Sequence, residues 1–157
     1  MLFRSRVAAT AQAGYVCMHM QGTPTTMQAH PVYADVVREV GEFFLERLER
    51  MSGCGLSREQ IILDVGIGFG KTLEHNLQLL GALGNFQSLA RPLLVGASRK
   101  SFMGTLLGAG PADRLPASLA CACLAVEAGA QIIRAHDVAE TVQAIRLTEA
   151  LLARRKK

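Results

Sequence analysis

Four short apolar segments, spaced along the chain, constrain the fold more than any other feature of this sequence. Each is about as long as a β-strand, and each is a nearly continuous apolar run rather than an alternating one. Continuous runs of this kind are typical of strands that are buried on both faces of a parallel sheet. The predicted strands cover residues 15–20, 61–65, 92–97 and 131–136.

Helical patterns lie between and after the predicted strands. The clearest covers residues 33–51, where apolar residues recur at steps of three and four, and it stops at Ser52-Gly53. Weaker patterns cover residues 73–83 and 118–127. A last helix is expected to begin at Asp137, whose carboxylate can cap it, and to run into a basic tail. Strands that alternate with helices predict an α/β fold with right-handed parallel crossovers, in a single domain of residues 1–157.

The charge of the chain is concentrated at one end. The formal net charge is +4, and residues 154–157 (RRKK) account for it. A basic tail on a neutral body, with two Tyr and no Trp to stack on bases, argues against nucleic-acid binding. No apolar run approaches the roughly 18 residues of a membrane span, and residues 7–10 are too weakly apolar for the core of a signal peptide.

The four cysteines form no CxxC pair and no zinc-finger spacing with a histidine. We therefore expect them to be reduced thiols in the core, which suits a cytosolic protein. Together with the charge and hydropathy patterns, this predicts a soluble, cytoplasmic chain without a membrane partner.

A glycine-rich segment follows the second predicted strand, at residues 64–72 (DVGIGFGKT). It nearly matches a P-loop and nearly matches a dinucleotide fingerprint, but Val65 and Lys71 each stand where the respective motif requires glycine. Two interpretations stay open. The glycines serve a tight, closely packed loop, or they let a flat ligand approach the backbone while Asp64 accepts hydrogen bonds from it.

Other polar residues lie at or just after the carboxyl ends of predicted strands, where active sites of α/β proteins lie. Residues 98–101 (SRKS) precede a helix and suit an anionic or electron-rich ligand, or a solvated cap. Arg134 and His136 share strand parity, and an arginine on a buried strand needs a partner, for which an anion is the natural choice. His19, between two methionines, is expected to be structural.

Four motifs together resemble the dihydropteroate synthase family, the folate-pathway enzymes that sulfonamides target. They are residues 17–24 (CMHMQGTP), 63–71 (LDVGIGFGK), 96–101 (GASRKS) and 133–137 (IRAHD), in the order and spacing of the family. The resemblance implies a TIM-type (βα)8 barrel, of which this chain is expected to be the (βα)4 half that matches strands 5–8. It also implies a transferase that joins a pterin-methyl diphosphate to 4-aminobenzoate and releases pyrophosphate, with Mg²⁺ as cofactor.

The resemblance assigns roles to individual residues. It implies that Asp64 and Lys100 bind the two edges of the pterin and that Met18 lines its pocket. Phe69 and Ser98 are expected toward the aminobenzoate. Arg134 and His136 are expected to bind the diphosphate and, with Lys100, to be catalytic.

The chain also departs from the family pattern. The first half of the barrel, with the family's metal ligand, is expected to be absent, so no residue of this chain is expected to ligate the metal, and Val65 replaces the usual proline after Asp64. A half barrel has open edges, which predicts a homodimer or a complex with a complementing N-terminal half. The alternatives are a non-catalytic pterin-binding or interaction module and a pterin-dependent methyltransferase of the same barrel family. A nucleotide-binding protein that uses residues 68–72 is a more distant one.

Overall fold

The computed structural model describes residues 2–155 and contains a parallel four-stranded sheet in the order β1-β2-β3-β4. The register sets Met18 beside Asp64, Asp64 beside Leu94, and Leu94 beside Ile132. This arrangement confirms the predicted α/β class. The strands are β1 (Tyr15–Met18), β2 (Ile61–Asp64), β3 (Leu93–Val95) and β4 (Ile132–Ile133).

Each crossover between strands contains at least one α-helix. The helix after β1 begins behind Asp35, whose carboxylate accepts a hydrogen bond from the backbone N–H of Arg38. The helix after β2 is capped in the same way by Thr72. The helices are α1 (Leu2–Thr10), α2 (Val36–Ser52), α3 (Leu73–Gly81), α4 (Ser101–Leu107), α5 (Leu115–Glu127) and α6 (Val138–Arg155), with 3₁₀ turns at Arg58–Gln60, Leu83–Leu89 and Pro111–Asp113.

The two faces of the sheet differ in burial. One face packs against the helices, and its side chains, such as Ile61, Leu63 and Val95, are buried in the core with Phe44 of α2. The opposite face carries Val16, which is 46% exposed, and the half-buried row of Met18, Asp64, Leu94 and Ile132. Burial on both faces, which the continuous apolar runs predicted, is therefore wrong for the described residues.

The strands are shorter than predicted, and an unpredicted helix, α1, precedes them. The apolar residues after each strand, such as Met20 and Ala135, lie in the loops at the carboxyl edge of the sheet. All four cysteines are free thiols, as expected. Cys17 is buried in the core, but the other three are only partly buried. Lys156 and Lys157 of the predicted basic tail lie outside the described residues. Between residues 2 and 155, no helix has the length and apolar character to cross a membrane.

Candidate functional site

The loops after the four parallel strands meet at one edge of the sheet, and Asp64 lies at its centre. One carboxylate oxygen of Asp64 accepts a hydrogen bond of 2.8 Å from the backbone N–H of Gly66. Burial raises the pKa of the Asp64 carboxyl above its ordinary value, while that hydrogen bond and the positive charges of Lys100, Lys71 and Arg134 oppose the rise. The edge thus joins one carboxylate with three cations.

The loop between β2 and α3, residues 65–72, lies directly against the loop after β1. Gly66 has a φ of +70°, and a Cβ at this position would lie 1.9 Å from the carbonyl oxygen of His19. At Gly70 a Cβ would lie 2.6 Å from the carbonyl oxygen of Gln21. These two glycines therefore serve close packing of backbone on backbone, which is the first of the two interpretations left open by the sequence.

Lys71 is only 4% exposed and points inward from this loop. Its Nζ lies 3.0 Å from Nδ1 of His19 and donates to the carbonyl oxygen of Phe69 at 3.1 Å. A P-loop lysine must instead extend toward the phosphates of its ligand. The position of Lys71 thus argues against the nucleotide-binding alternative.

His19 is buried beside Lys71, as expected for a structural histidine. Its ring packs edge-on against Phe43, with the ring centroids 4.9 Å apart. Burial, assisted by the charge of Lys71 and opposed by Glu39, lowers the pKa of His19 from 6.5 to about 4. The imidazole is therefore neutral at physiological pH.

Acid should destabilise the protein through His19. Between the two pKa values of 6.5 and about 4 the unfolded chain binds a proton that the folded chain does not. This contribution to the free energy of unfolding is therefore complete above the unfolded pKa, and we expect about 3 kcal/mol to be lost as the pH falls to 4. Urea unfolding across this range should show a smaller loss in His19→Gln, while His30→Gln, which changes an exposed histidine, should match the wild type. Equal pH dependence in all three proteins would contradict the prediction.

Lys100 reaches over the β2 loop from the loop after β3. Its Nζ lies 4.0 Å from the centroid of the Phe69 ring, and its stem passes above Gly68. Burial lowers the pKa of Lys100, with Arg134 acting in the same direction and Asp64 in the opposite one. The structure thus brings together Asp64, Phe69 and Lys100, three residues that the sequence singled out.

The loops after β3 and β4 are joined by two polar contacts. The hydroxyl oxygen of Ser98 accepts a hydrogen bond from the His136 N–H at 3.2 Å and lies 3.0 Å from Nδ1 of its ring. Arg99, with a φ of +56°, binds the carboxylate of Asp137 through Nε at 2.9 Å and through a second guanidinium nitrogen. Asp137 therefore pairs with a cation 38 residues away, a use that its predicted capping role did not anticipate.

Arg134 and His136 require a correction to the argument from strand parity. Strand β4 ends at Ile133, so both residues lie in the following loop, and both are exposed. Because the Arg134 side chain is exposed to water, burial does not require an anion as its partner. Its position is instead fixed by its backbone N–H, which donates to the carbonyl oxygen of Val95 at 3.0 Å.

Sequence reasoning missed several contacts that shape this edge. The Tyr33 hydroxyl donates to the carbonyl oxygen of Gly70 at 2.9 Å, and the Gln28 amide donates to that of Gly68 at 2.6 Å. Both residues lie in the long segment between β1 and α2, beyond the motif at residues 17–24, where no pattern marks them. The approximate P-loop match did mark Lys71, but for a role at the surface.

The amino-acid sequence matches a known protein family and its members. Residues 3–136 match the family described as pterin binding enzymes. Dihydropteroate synthase of Escherichia coli strain K12 is 52% identical over 147 residues, which are 92% of this chain and 52% of that protein. The chain spans about half the length of the curated relatives it matches.

Solved structures agree with the sequence comparison. The Yersinia pestis dihydropteroate synthase, solved as a sulfonamide drug complex, superimposes with a TM-score of 0.92 at 44% identity, over 95% of this chain and 54% of that one. The Thermus thermophilus enzyme, in complex with 4-aminobenzoate, gives a TM-score of 0.89 at 41% identity, over 95% of this chain and 61% of that one.

Proposed function

This chain belongs to the pterin-binding enzyme family, and from that membership we propose that it carries the C-terminal half of a dihydropteroate synthase site. In the reaction, the aromatic amine of 4-aminobenzoate attacks the methylene carbon of a pterin-methyl diphosphate. A C–N bond forms, the C–O bond to the diphosphate breaks, and the amine nitrogen loses a proton. The products are dihydropteroate and pyrophosphate.

The observation that carries the proposal is the meeting of Asp64, Lys100 and Phe69 at the carboxyl edge of the sheet, with Met18 beside Asp64 in the register. A pterin is flat and has hydrogen-bond donors along one edge and acceptors along another. Asp64 accepts from the donor edge, and Lys100 donates to the acceptor edge. Met18 lines the pocket on the open face of the sheet.

Two exposed residues at the same edge are available to the leaving group. Arg134 and His136 bind the diphosphate, and the positive charges of Arg134 and Lys100 stabilise it as it departs. Phe69 lies toward the aminobenzoate. Ser98 lies on the same side, and its hydrogen bonds also orient His136. These contacts align the two substrates, which is the main demand of a displacement at carbon.

The Mg²⁺ that the family resemblance implies does not fit the residues present. Across residues 2–155 no three His, Cys, Asp or Glu side chains cluster in a way that could hold a metal ion. Asp64, the carboxylate at the centre of the edge, is surrounded by cations, which repel a divalent ion. No step above is therefore assigned to a metal held by residues of this chain.

The strands correspond, in this proposal, to strands 5–8 of a (βα)8 barrel, with residues 1–157 as one pterin-binding domain. In the described structure β1 and β4 are the outer strands of the sheet, and the apolar face between them is partly exposed. A second copy of the chain, or a complementing N-terminal half, covers that face and completes the barrel.

The proposal is tested by pyrophosphate release from the pterin-methyl diphosphate and 4-aminobenzoate, with Mg²⁺ present. The purified, folded chain is assayed alone and with the N-terminal half of a relative. We expect release that rises on addition of that half and is lost in Lys100→Ala, but not in Arg38→Ala, which removes an exposed cation of α2. A folded chain that neither binds pterin nor releases pyrophosphate in either assay contradicts the proposal.

The same assay separates the alternatives. A non-catalytic pterin-binding module binds the pterin without releasing pyrophosphate in any combination. A pterin-dependent methyltransferase transfers a methyl group and likewise releases none.

A further inference from the structure

Lys71 is a buried cation at the centre of the site edge, and the proposed reaction does not use it. A buried ammonium group is costly unless its protons are hydrogen-bonded. Here its partners are Nδ1 of His19, in the loop after β1, and the carbonyl oxygen of Phe69, in the loop after β2. Lys71 therefore joins two loops that come from neighbouring strands.

The backbone around Lys71 shows that these loops pack without spare room. Gly66 faces both the carbonyl oxygen of His19 and the Lys71 ammonium, to which a Cβ would approach within 3.4 Å. The Asp64 carboxylate is held in turn by the N–H of Gly66. Lys71 is therefore linked to Asp64 through Gly66, and it contacts Phe69 directly.

The charges around Lys71 give it a second effect. Asp64 raises the pKa of Lys71, although burial, the larger cause, lowers it to about 8. Lys71 in return favours the ionised form of Asp64, together with Lys100 and Arg134. The charge of Glu39 opposes that of Lys71 at His19, and the Glu39 carboxylate accepts hydrogen bonds from the backbone N–H groups of Ala34 and Asp35.

We propose that Lys71 is a positioning residue, which ties the β1 loop to the β2 loop through His19 and Phe69 and so holds the Asp64 carboxylate in place for the pterin. The last step rests on the proposed function, whereas the tie itself does not. Because an ammonium group can only donate, Nδ1 of His19 accepts and the imidazole carries its proton on Nε2.

The first test needs no ligand. Nitrogen NMR of the wild type near neutral pH should show His19 protonated on Nε2 and unprotonated on Nδ1. Lys71→Met, which keeps an unbranched stem but removes the ammonium group, should raise the pKa of Asp64, measured by carboxyl-carbon NMR, and speed amide exchange at residues 66–70. Arg38→Met, at an exposed position, should change neither quantity. A proton on Nδ1 of His19, or an unchanged Asp64 pKa and unchanged exchange in Lys71→Met, would overturn the proposal.

The second test uses hydroxymethylpterin as the probe. We expect Lys71→Met to weaken its binding at least about tenfold, and a double-mutant cycle with His19→Gln to be strongly non-additive, since both changes break one tie. Additive effects would overturn the tie. If the wild type binds no pterin, the proposed function fails, while the NMR measurements still decide the role of Lys71. Should Lys71→Met not fold, His19→Gln breaks the same contact and should likewise speed amide exchange at residues 66–70, and unchanged exchange there would overturn the proposal.

Discussion

Replacing Gly66 with alanine should severely destabilise the protein and abolish pterin binding. The new Cβ would lie 1.9 Å from the carbonyl oxygen of His19, which belongs to the backbone of the neighbouring loop and cannot rotate away. The φ of +70° adds a conformational cost of about 1 kcal/mol for any residue with a side chain. We expect a total loss of at least about 3 kcal/mol in the free energy of unfolding, measured by urea denaturation.

Gly55 provides the matched control for that substitution. Its φ of +83° is equally unfavourable for alanine, but a Cβ there meets no atom within 4 Å. Gly55→Ala should therefore lose only the conformational cost and keep pterin binding. If both variants lost the same free energy of unfolding, the close approach of the two loops at Gly66 would not contribute to stability.

Asp64→Asn should weaken pterin binding about 100-fold without destabilising the fold. The asparagine oxygen can still accept the hydrogen bond from the Gly66 N–H, so the loop keeps its geometry. The amide cannot, however, accept two hydrogen bonds with the strength of a carboxylate, and each charged hydrogen bond contributes about 1.5–3 kcal/mol. Titration calorimetry with hydroxymethylpterin measures the loss.

The stability of the same variant gives an independent check. Burial raises the pKa of Asp64, which means that the folded state penalises the ionised form of this group relative to the unfolded chain. A neutral amide should therefore leave the free energy of unfolding unchanged or raise it near neutral pH. Asp113→Asn, at an exposed position, serves as the control for both measurements. Undiminished pterin binding in Asp64→Asn would contradict the role assigned to this carboxylate.

The order of strands and helices could be predicted from the sequence because apolar runs and helical spacing are local signals. The ends of the strands could not. Met20 and Ala135 are as apolar as strand residues, but whether they join the sheet depends on backbone partners in a neighbouring strand. The exposure of one face of the sheet could not be predicted either, because it depends on which other elements pack against that face.

The placement of Asp64 and Lys100 at one edge of the sheet was predictable, because it depends only on where each strand ends. The site was not predictable where it depends on pairs that the fold brings together. Lys71 and His19 are 52 residues apart, and Arg99 and Asp137 are 38 apart. Each member of these pairs, considered alone, suits an anion, a metal or a helix cap equally well, and only the three-dimensional arrangement selects its partner.

The polar contacts between loops divide the carboxyl edge of the sheet into two pairs of loops. One pair is joined by Lys71 and His19, the other by Arg99 and Asp137. The side chain of Lys100 lies over the ring of Phe69 and so connects the β3 loop to the β2 loop without a hydrogen bond. A ligand that contacts both Asp64 and Lys100 would bridge the two pairs of loops, and since it would bind the folded chain alone, the free energy of unfolding should rise with the logarithm of its concentration.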